Sequence, residues 1–166
     1  MREISRILFN MPTTLLSPLQ RIFITQRFGV NSSYYKKYGM KGHNGIDFRT
    51  RFLDGKTPTP QGHMFVYSMA PGVVTEIKDE GTLGYGRYIR IKHDDGSESI
   101  YGHLSKWYVK FGARVTEKTL IALTDNTGDS TGSHLHVGYR PPNWQSLYGN
   151  GYKGYVNFQS FIKTRL

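Results

Sequence analysis

The stretch Arg87-Tyr88-Ile89-Arg90-Ile91-Lys92-His93-Asp94-Asp95-Gly96-Ser97-Glu98-Ser99-Ile100-Tyr101 decides the fold class. From Tyr88 to Lys92 the residues alternate in the two-residue period of a strand with unlike faces. Asp95-Gly96 then predicts a type I′ hairpin turn, because those residue types accept positive φ. A second strand is expected over Glu98–Tyr101. Similar β-branched or aromatic runs lie outward on both sides: Ile22–Phe28, Phe65–Met69 and Gly72–Lys78 before it, Thr119–Thr124 and His134–Tyr139 after it. Pro71-Gly72 and Asn150-Gly151 mark further turns. Glycine is abundant, at 19 residues, and long runs with helical spacing are absent. The pattern predicts a mainly β, antiparallel domain with few short helices. Long surface loops are expected from about Arg49 to Gly62 and from Asn143 to Tyr155. A short terminal helix is expected over Val156–Lys163, with Phe158 and Ile162 packing inward at i, i+4.

A chain of 166 residues is in the size range of one core. The expected division is an N-terminal extension, 1–20, and a single domain, 21–166. There are no cysteines, which excludes disulfides and thiolate metal sites and leaves His and carboxylates as the only strong ligands. Lys and Arg exceed Asp and Glu by ten, and the pI is near 9.8. That excess favours polyanionic partners: nucleic acid, an anionic membrane surface or an acidic cell-wall polymer. At the N-terminus, Arg2 and Arg6 precede the apolar Ile7-Leu8-Phe9. The run ends at Asn10, short of the roughly 7–15 residues of a signal-peptide core. No segment approaches the roughly 18 apolar residues of a membrane span. The expectation is a soluble chain without a leader of its own.

Three local patterns use four of the six histidines. In His43-Asn44-Gly45-Ile46-Asp47, Gly45 argues for a strand or bend, and the even offset lets His43 and Asp47 share a face. In His134-Leu135-His136, a strand would turn both imidazoles to one surface and Leu135 into the core. Tyr101-Gly102-His103-Leu104 places a His at the end of the strand after the hairpin. Each pattern is weak alone: chance gives about 0.2 of either HxH or HxxxD per chain of this composition, and both in about one chain in twenty. His63 has no partner pattern and reads as an ordinary loop residue. Together the patterns meet the needs of a hydrolytic metal, which takes three protein ligands and leaves a position for water. Two further His would remain for proton transfer and charge stabilisation. The HExxH helix is absent, so an imidazole must serve as general base.

These residues resemble the lysostaphin-like (LytM-type) zinc peptidases that cut peptidoglycan. The family pattern is HxGxD, then a His after Tyr in a YxH-type strand, then HLH preceded by a Gly/Thr/Ser-rich run. Matching segments are His43–Asp47, Tyr101–Ser105 and Thr127–His136, with Ala70–Val74 and His93–Gly96 between them. The resemblance covers residues 24–140 in order. It implies a sheet with a groove under mobile loops and one zinc ion held by His43, Asp47 and His136. It further implies His103 and His134 as the unligated catalytic pair, and a hairpin role for His93. The chain departs from the pattern in a long basic loop after Asp47 (Arg49, Arg51, Lys56). It also has Ser133 where the family often has Pro, and no Gly in Val115–Thr119.

The expected function is therefore zinc-dependent hydrolysis of a peptidoglycan peptide bond, D,D or glycyl. One of His103 and His134 would act as base and the other would stabilise the oxyanion. Tyr38 is a candidate oxyanion or substrate contact, although packing is its plainer reading. Trp107, Trp144 and Tyr148 are candidate groove residues on the same footing. The expected partner is an anionic cell wall acted on by a monomer, with no nucleic acid and no membrane span. The expected setting is a phage-type lysin or a product released by another route. Two rivals predict different behaviour: a ligand-poor scaffold on the same fold, and a basic β-domain that binds nucleic acid with steep salt dependence. A metallo-β-lactamase-like site would need HxHxDH, which is missing.

Overall fold

The structure is a computed structural model that describes residues 14–52, 59 and 62–165. Its strands are β1 (Leu15–Leu16), β2 (Ile24–Gln26), β3 (Ile46–Arg49), β4 (Phe65–Tyr67), β5 (Gly72–Asp79) and β6 (Arg87–His93). They continue as β7 (Glu98–Gly102), β8 (Leu104–Trp107), β9 (Arg114–Val115), β10 (Leu120–Thr124), β11 (His134–Arg140) and β12 (Ile162–Lys163). A single turn of helix, α1 (Ser32–Tyr35), runs into a 3-10 turn at Lys36–Tyr38. The alternating run found in the sequence is β6, near the middle of a seven-stranded antiparallel sheet of order β2-β3-β11-β7-β6-β5-β9. A second antiparallel sheet, β4-β10-β8, packs beside it.

Alternation sorts the large sheet into two unlike faces. Ile89 and Ile91 of β6, Tyr101 of β7 and Leu135, Val137 and Tyr139 of β11 point into the main core. There they meet Met64, Val66, Leu104 and Ile121 of the second sheet and its approaches. The opposite face carries a smaller cluster of Tyr88, Ile100 and Tyr155, and this face bears the site. A chain of buried polar contacts ties the hairpin to the core. His93 Nδ1 donates to the Pro71 carbonyl (3.1 Å), and His93 Nε2 lies 2.8 Å from Ser99 Oγ. Ser99 Oγ in turn lies 3.0 Å from the Tyr101 hydroxyl, which accepts the Met69 N–H at 2.9 Å. Satisfied in this way, His93 can be buried without the penalty of an unpaired polar group.

Several expectations are corrected. The turn after β6 is not a two-residue type I′ turn: only Gly96 has positive φ (87°), and the Gly96 N–H bonds the His93 carbonyl at 3.0 Å. It is a type I turn followed by a left-handed glycine, the common three-residue alternative. Residues 156–163 form no helix; a 3-10 turn at Gln159–Phe161 leads into β12. That strand pairs in parallel with β1, Leu15 against Ile162, a partnership that no local pattern announces. Leu15 and Leu19, within the expected N-terminal extension, are buried in the main core. Within the expected loop 143–155, Trp144–Asn150 is a 3-10 segment. Of the expected loop 49–62, Arg49 closes β3 and Thr50–Phe52 lie beyond it. Residues 53–58 and 60–61, Lys56 among them, are outside the described residues, as are 1–13. The strand or bend expected at His43–Asp47 is a bend running into β3, whereas the short strands β8 and β9 match no expected run.

Gly138 shows how tightly the site face is packed. A Cβ there would lie 2.6 Å from the Tyr155 ring and 2.9 Å from Ile100 Cγ2. Gly138→Ala is expected to destabilise the protein by about 1–3 kcal/mol through overpacking, measured as a shift of the urea unfolding midpoint. An unchanged midpoint would show that Tyr155 does not rest on β11.

Candidate active site

The β3–β11 register puts Asp47 directly opposite His136, and the Asn44-Gly45 bend returns His43 to the same point. Gly45 is required by close approach, because a Cβ there would fall 2.4 Å from the Val137 carbonyl oxygen and 2.6 Å from His136 Cε1. Three atoms converge: His43 Nε2 and His136 Nδ1 are 2.9 Å apart, and Asp47 Oδ1 lies 3.1 Å and 3.0 Å from them. The His43 Nδ1–H donates to the Arg27 carbonyl at 3.1 Å, which leaves Nε2 with a free lone pair toward the cluster. All three residues are buried. With the His43 Nε2 lone pair and the Asp47 carboxylate both acceptors, at most the one proton of His136 Nδ1 lies among the three atoms, so the three contacts cannot all be hydrogen bonds.

The donor set fits a divalent cation. Ligand atoms around a tetrahedral ion with bonds near 2.0–2.1 Å sit roughly 3.3 Å apart, close to the observed separations. Two neutral imidazoles and one carboxylate are borderline ligands suited to zinc-like metals. The His43–Arg27 bond is the outer contact that fixes a ligand's tautomer. Among the described residues, these three side chains are the one such group.

Two more histidines border the cluster. His103 and His134 have ring centroids 4.6 Å apart, and His134 Nε2 is 3.6 Å from Asp47 Oδ2. His103 sits between β7 and β8 with φ 60°, a left-handed conformation uncommon for a non-glycine residue. Hydrogen bonds hold it there: its N–H to the Tyr85 carbonyl (2.8 Å) and its carbonyl to the Asp125 N–H (2.9 Å). Both rings are oriented by one loop, residues 125–133. His103 Nδ1 donates to the Thr127 carbonyl and His134 Nδ1 to the Gly132 carbonyl, each at 2.7 Å.

That loop is strapped on two sides. The Gly128 and Asp129 N–H groups bond the Gly81 and Gly84 carbonyls, each at 3.0 Å. The Asp129 carboxylate accepts Tyr34 Oη (2.6 Å), Lys37 Nζ (2.7 Å) and the Tyr38 hydroxyl. Lys37, with Tyr34 and Tyr38, draws the Asp129 carboxyl down to about 2. Burial, reinforced by Asp129, pushes the Tyr38 phenol up to about 12 and keeps it a donor.

A cleft of about 710 Å³ opens over the site, with His103 and His136 in its lining. Its walls carry Tyr34, Tyr35, Tyr38, Tyr85, Tyr88 and Tyr155. Tyr38 is thus a cleft residue. Trp107, Trp144 and Tyr148 are not; Trp107 packs against the core and Trp144 lies under the Arg140 guanidinium. Tyr35 (ring 5.2 Å from His43), Asn44 (bonded to Tyr85 Oη at 2.6 Å) and Asp129 drew no attention in the sequence. The Tyr34-Tyr35-x-x-Tyr38 spacing just before His43 was the available signal.

The sequence profile of peptidase family M23 matches residues 41–153. The chain belongs to peptidase family M23. It is 37% identical over 94 residues to the peptidoglycan DD-endopeptidase ShyA of Vibrio cholerae, covering 57% of this chain and 19% of that one. The structure resembles a zinc-containing peptidase from Vibrio cholerae (TM-score 0.60, 28% identity, 81% of this chain and 37% of that one). It also resembles LytU (TM-score 0.62, 28% identity, 85% and 84%). The chain spans between 19% and 32% of the length of the first curated relatives it matches. Membership in family M23 implies a metal, and the His43–Asp47–His136 group is compatible with one. No helix among the described residues is long and apolar enough to cross a membrane.

The buried imidazoles make stability depend on pH. Burial, with His134 and His136 nearby, lowers His103 to about 3. Burial also lowers His136 to about 4, against the opposing pull of Asp47. Burial disfavours the charge on Asp47 too, yet its contacts with the His136 and His43 imidazoles hold its carboxyl well below the usual range. Unfolding restores both histidines to 6.5, so between about pH 6.5 and 3 the unfolded chain binds more protons and stability falls with pH. In chelator, the denaturation midpoint should hold steady above about pH 7 and drop below 6.5. A flat profile from pH 8 to 5 would contradict the burial of these rings.

Proposed function

We propose that this chain is a zinc-dependent endopeptidase that hydrolyses peptide bonds in bacterial peptidoglycan. His43, Asp47 and His136 are its metal ligands, and His103 and His134 its catalytic pair. The observation that carries this reading is the convergence of three potential ligand atoms within 2.9–3.1 Å of one another, bordered by two more imidazoles. A bound zinc ion supplies Lewis acidity, lowering the pKa of water to about 7 and polarising a carbonyl.

The chain's own groups do the rest. The Thr127 and Gly132 carbonyls hold the Nδ1 protons of His103 and His134, leaving each Nε2 free to accept a proton and later return it. His134 Nε2, 3.6 Å from Asp47 Oδ2, is the nearer of the two to the ligand carboxylate. The Tyr38 hydroxyl, kept protonated beside Asp129, lines the same cleft and can donate to a developing oxyanion once its bond to Asp129 is released. The tyrosine walls exclude water and bind an extended peptide. Likeness to a peptidoglycan DD-endopeptidase supports a D,D cross-link as the bond, and the charge of +10 suits an anionic wall.

Zinc-loaded protein should release new termini, identified by mass spectrometry, from purified peptidoglycan, and chelation should abolish this. Asp47→Ala should lose both metal and activity. His103→Asn, chosen because Asn tolerates the left-handed backbone, should keep one metal equivalent and lose roughly 10²–10⁴-fold in rate. Full activity in His103→Asn would overturn its role. No turnover by the zinc-loaded protein would favour an inactive scaffold.

A further inference from the structure

The site face of the large sheet is laid out in rows by strand register. Along β11, His134, His136, Gly138 and Arg140 share one side, because alternate strand residues do. Gly138 pairs with Ile100, Ile100 with Arg90 and Arg90 with Glu76; Arg140 pairs with Glu98. Two residues of strand rise about 6.7 Å. The Arg90 row therefore lies about 7 Å, and the Arg140 row about 13 Å, along the strands from His136.

The arginines of these rows are already committed. Arg90 Nε bonds Glu76 (3.1 Å) and its Nη1 donates to Tyr155 Oη (3.0 Å). Arg140 Nη1 reaches Glu98 at 3.5 Å, and its guanidinium stacks on Trp144 and Tyr155. Lys78 pairs with Glu80 at 3.3 Å. Lys153 differs: it lines the cleft, and among the described residues no hydrogen bond or ion pair engages its ammonium. Its backbone is held in the left-handed region, φ 54°, between the left-handed Gly151 and Gly154. The Arg140 Nε–H bonds its carbonyl at 3.1 Å, which carries it on the outermost row. A lysine kept where glycine would be easier, with an unspent charge in a cleft, is the kind of local conflict that marks a functional position.

We propose that Lys153 forms a subsite for a free side carboxylate of the bound peptide and so determines substrate choice. Its assignment to a stem peptide rests on the peptidoglycan reading above. An extended peptide covers about 3.3 Å per residue, so the subsite meets a group roughly two to four residues from the scissile bond. Stem peptides carry such groups: the α-carboxylate of a γ-linked glutamate and the second carboxylate of a diamino acid. Either pairs with an ammonium in a cleft walled by aromatic rings, where screening is weaker than in open solvent.

The test is NMR titration of the zinc-loaded protein with a γ-glutamyl stem tetrapeptide. Three forms are compared: both carboxylates free, the glutamate amidated, and the diamino acid amidated. Lys153→Gly removes the ammonium while relaxing the backbone, so its melting temperature should equal or exceed that of the wild type. It should nevertheless bind the free acid about tenfold more weakly, a typical loss for a charge-assisted contact. Amidating the recognised carboxylate should cost the wild type the same factor and Lys153→Gly nothing, and the form that loses affinity names the source. Equal binding of the free acid by both proteins, an amidation penalty shared by both, or no binding by the wild type would overturn the subsite. Discrimination without hydrolysis of peptidoglycan would leave the subsite standing and overturn the function; hydrolysis without discrimination would do the reverse.

Discussion

Burying a carboxylate against two imidazoles, with at most one proton among the three facing atoms, is costly unless a cation shares the space. That constraint organises the rest of the molecule. Asp47 and His136 are cross-strand partners on adjacent strands, β3 and β11, of a seven-stranded sheet, so their separation is set by backbone hydrogen bonds and not by mobile side chains. Gly45 lets the chain pass beneath the His136 ring, and the Arg27 carbonyl fixes the tautomer of His43. A site built on strands holds its geometry more closely than one built on loops.

Around this fixed centre the fold places its adjustable parts. The 125–133 loop orients both His103 and His134 through backbone carbonyls and is tied through Asp129 to the tyrosines of residues 34–38. The cleft wall and the His103–His134 pair are thereby linked. Strain is concentrated here as well: His103 and Lys153 are two of four described non-glycine residues with positive φ, and both face the cleft. The sheet beneath supplies the rigidity that makes such conformations tolerable.

Much of this was legible in the sequence, for physical reasons. Strict alternation in Tyr88–Lys92 and in His134-Leu135-His136 reports a strand directly, and Leu135 does enter the core between two histidines on the opposite face. Spacing of two and four residues brought the His and Asp side chains to common faces, and the structure unites all five. What stayed hidden depends on distant partners. β12 exists because Leu15 lies beside Ile162, so a segment with helical spacing became a strand. The turn at Asp94–Gly96 took the three-residue form, which local composition does not separate from the two-residue one. Asp129 sat unnoticed in a Gly/Thr/Ser run because its partners lie more than ninety residues away. Trp144, for which packing is the plainer reading and a groove the alternative, packs its face against the Arg140 guanidinium.

The central claim concerns one ion in one place. Crystals grown with zinc, measured on both sides of the zinc absorption edge, test it most directly. The predicted result is a single strong anomalous peak among His43 Nε2, Asp47 Oδ1 and His136 Nδ1. A vacant centre, or a peak bound by other side chains, would contradict it.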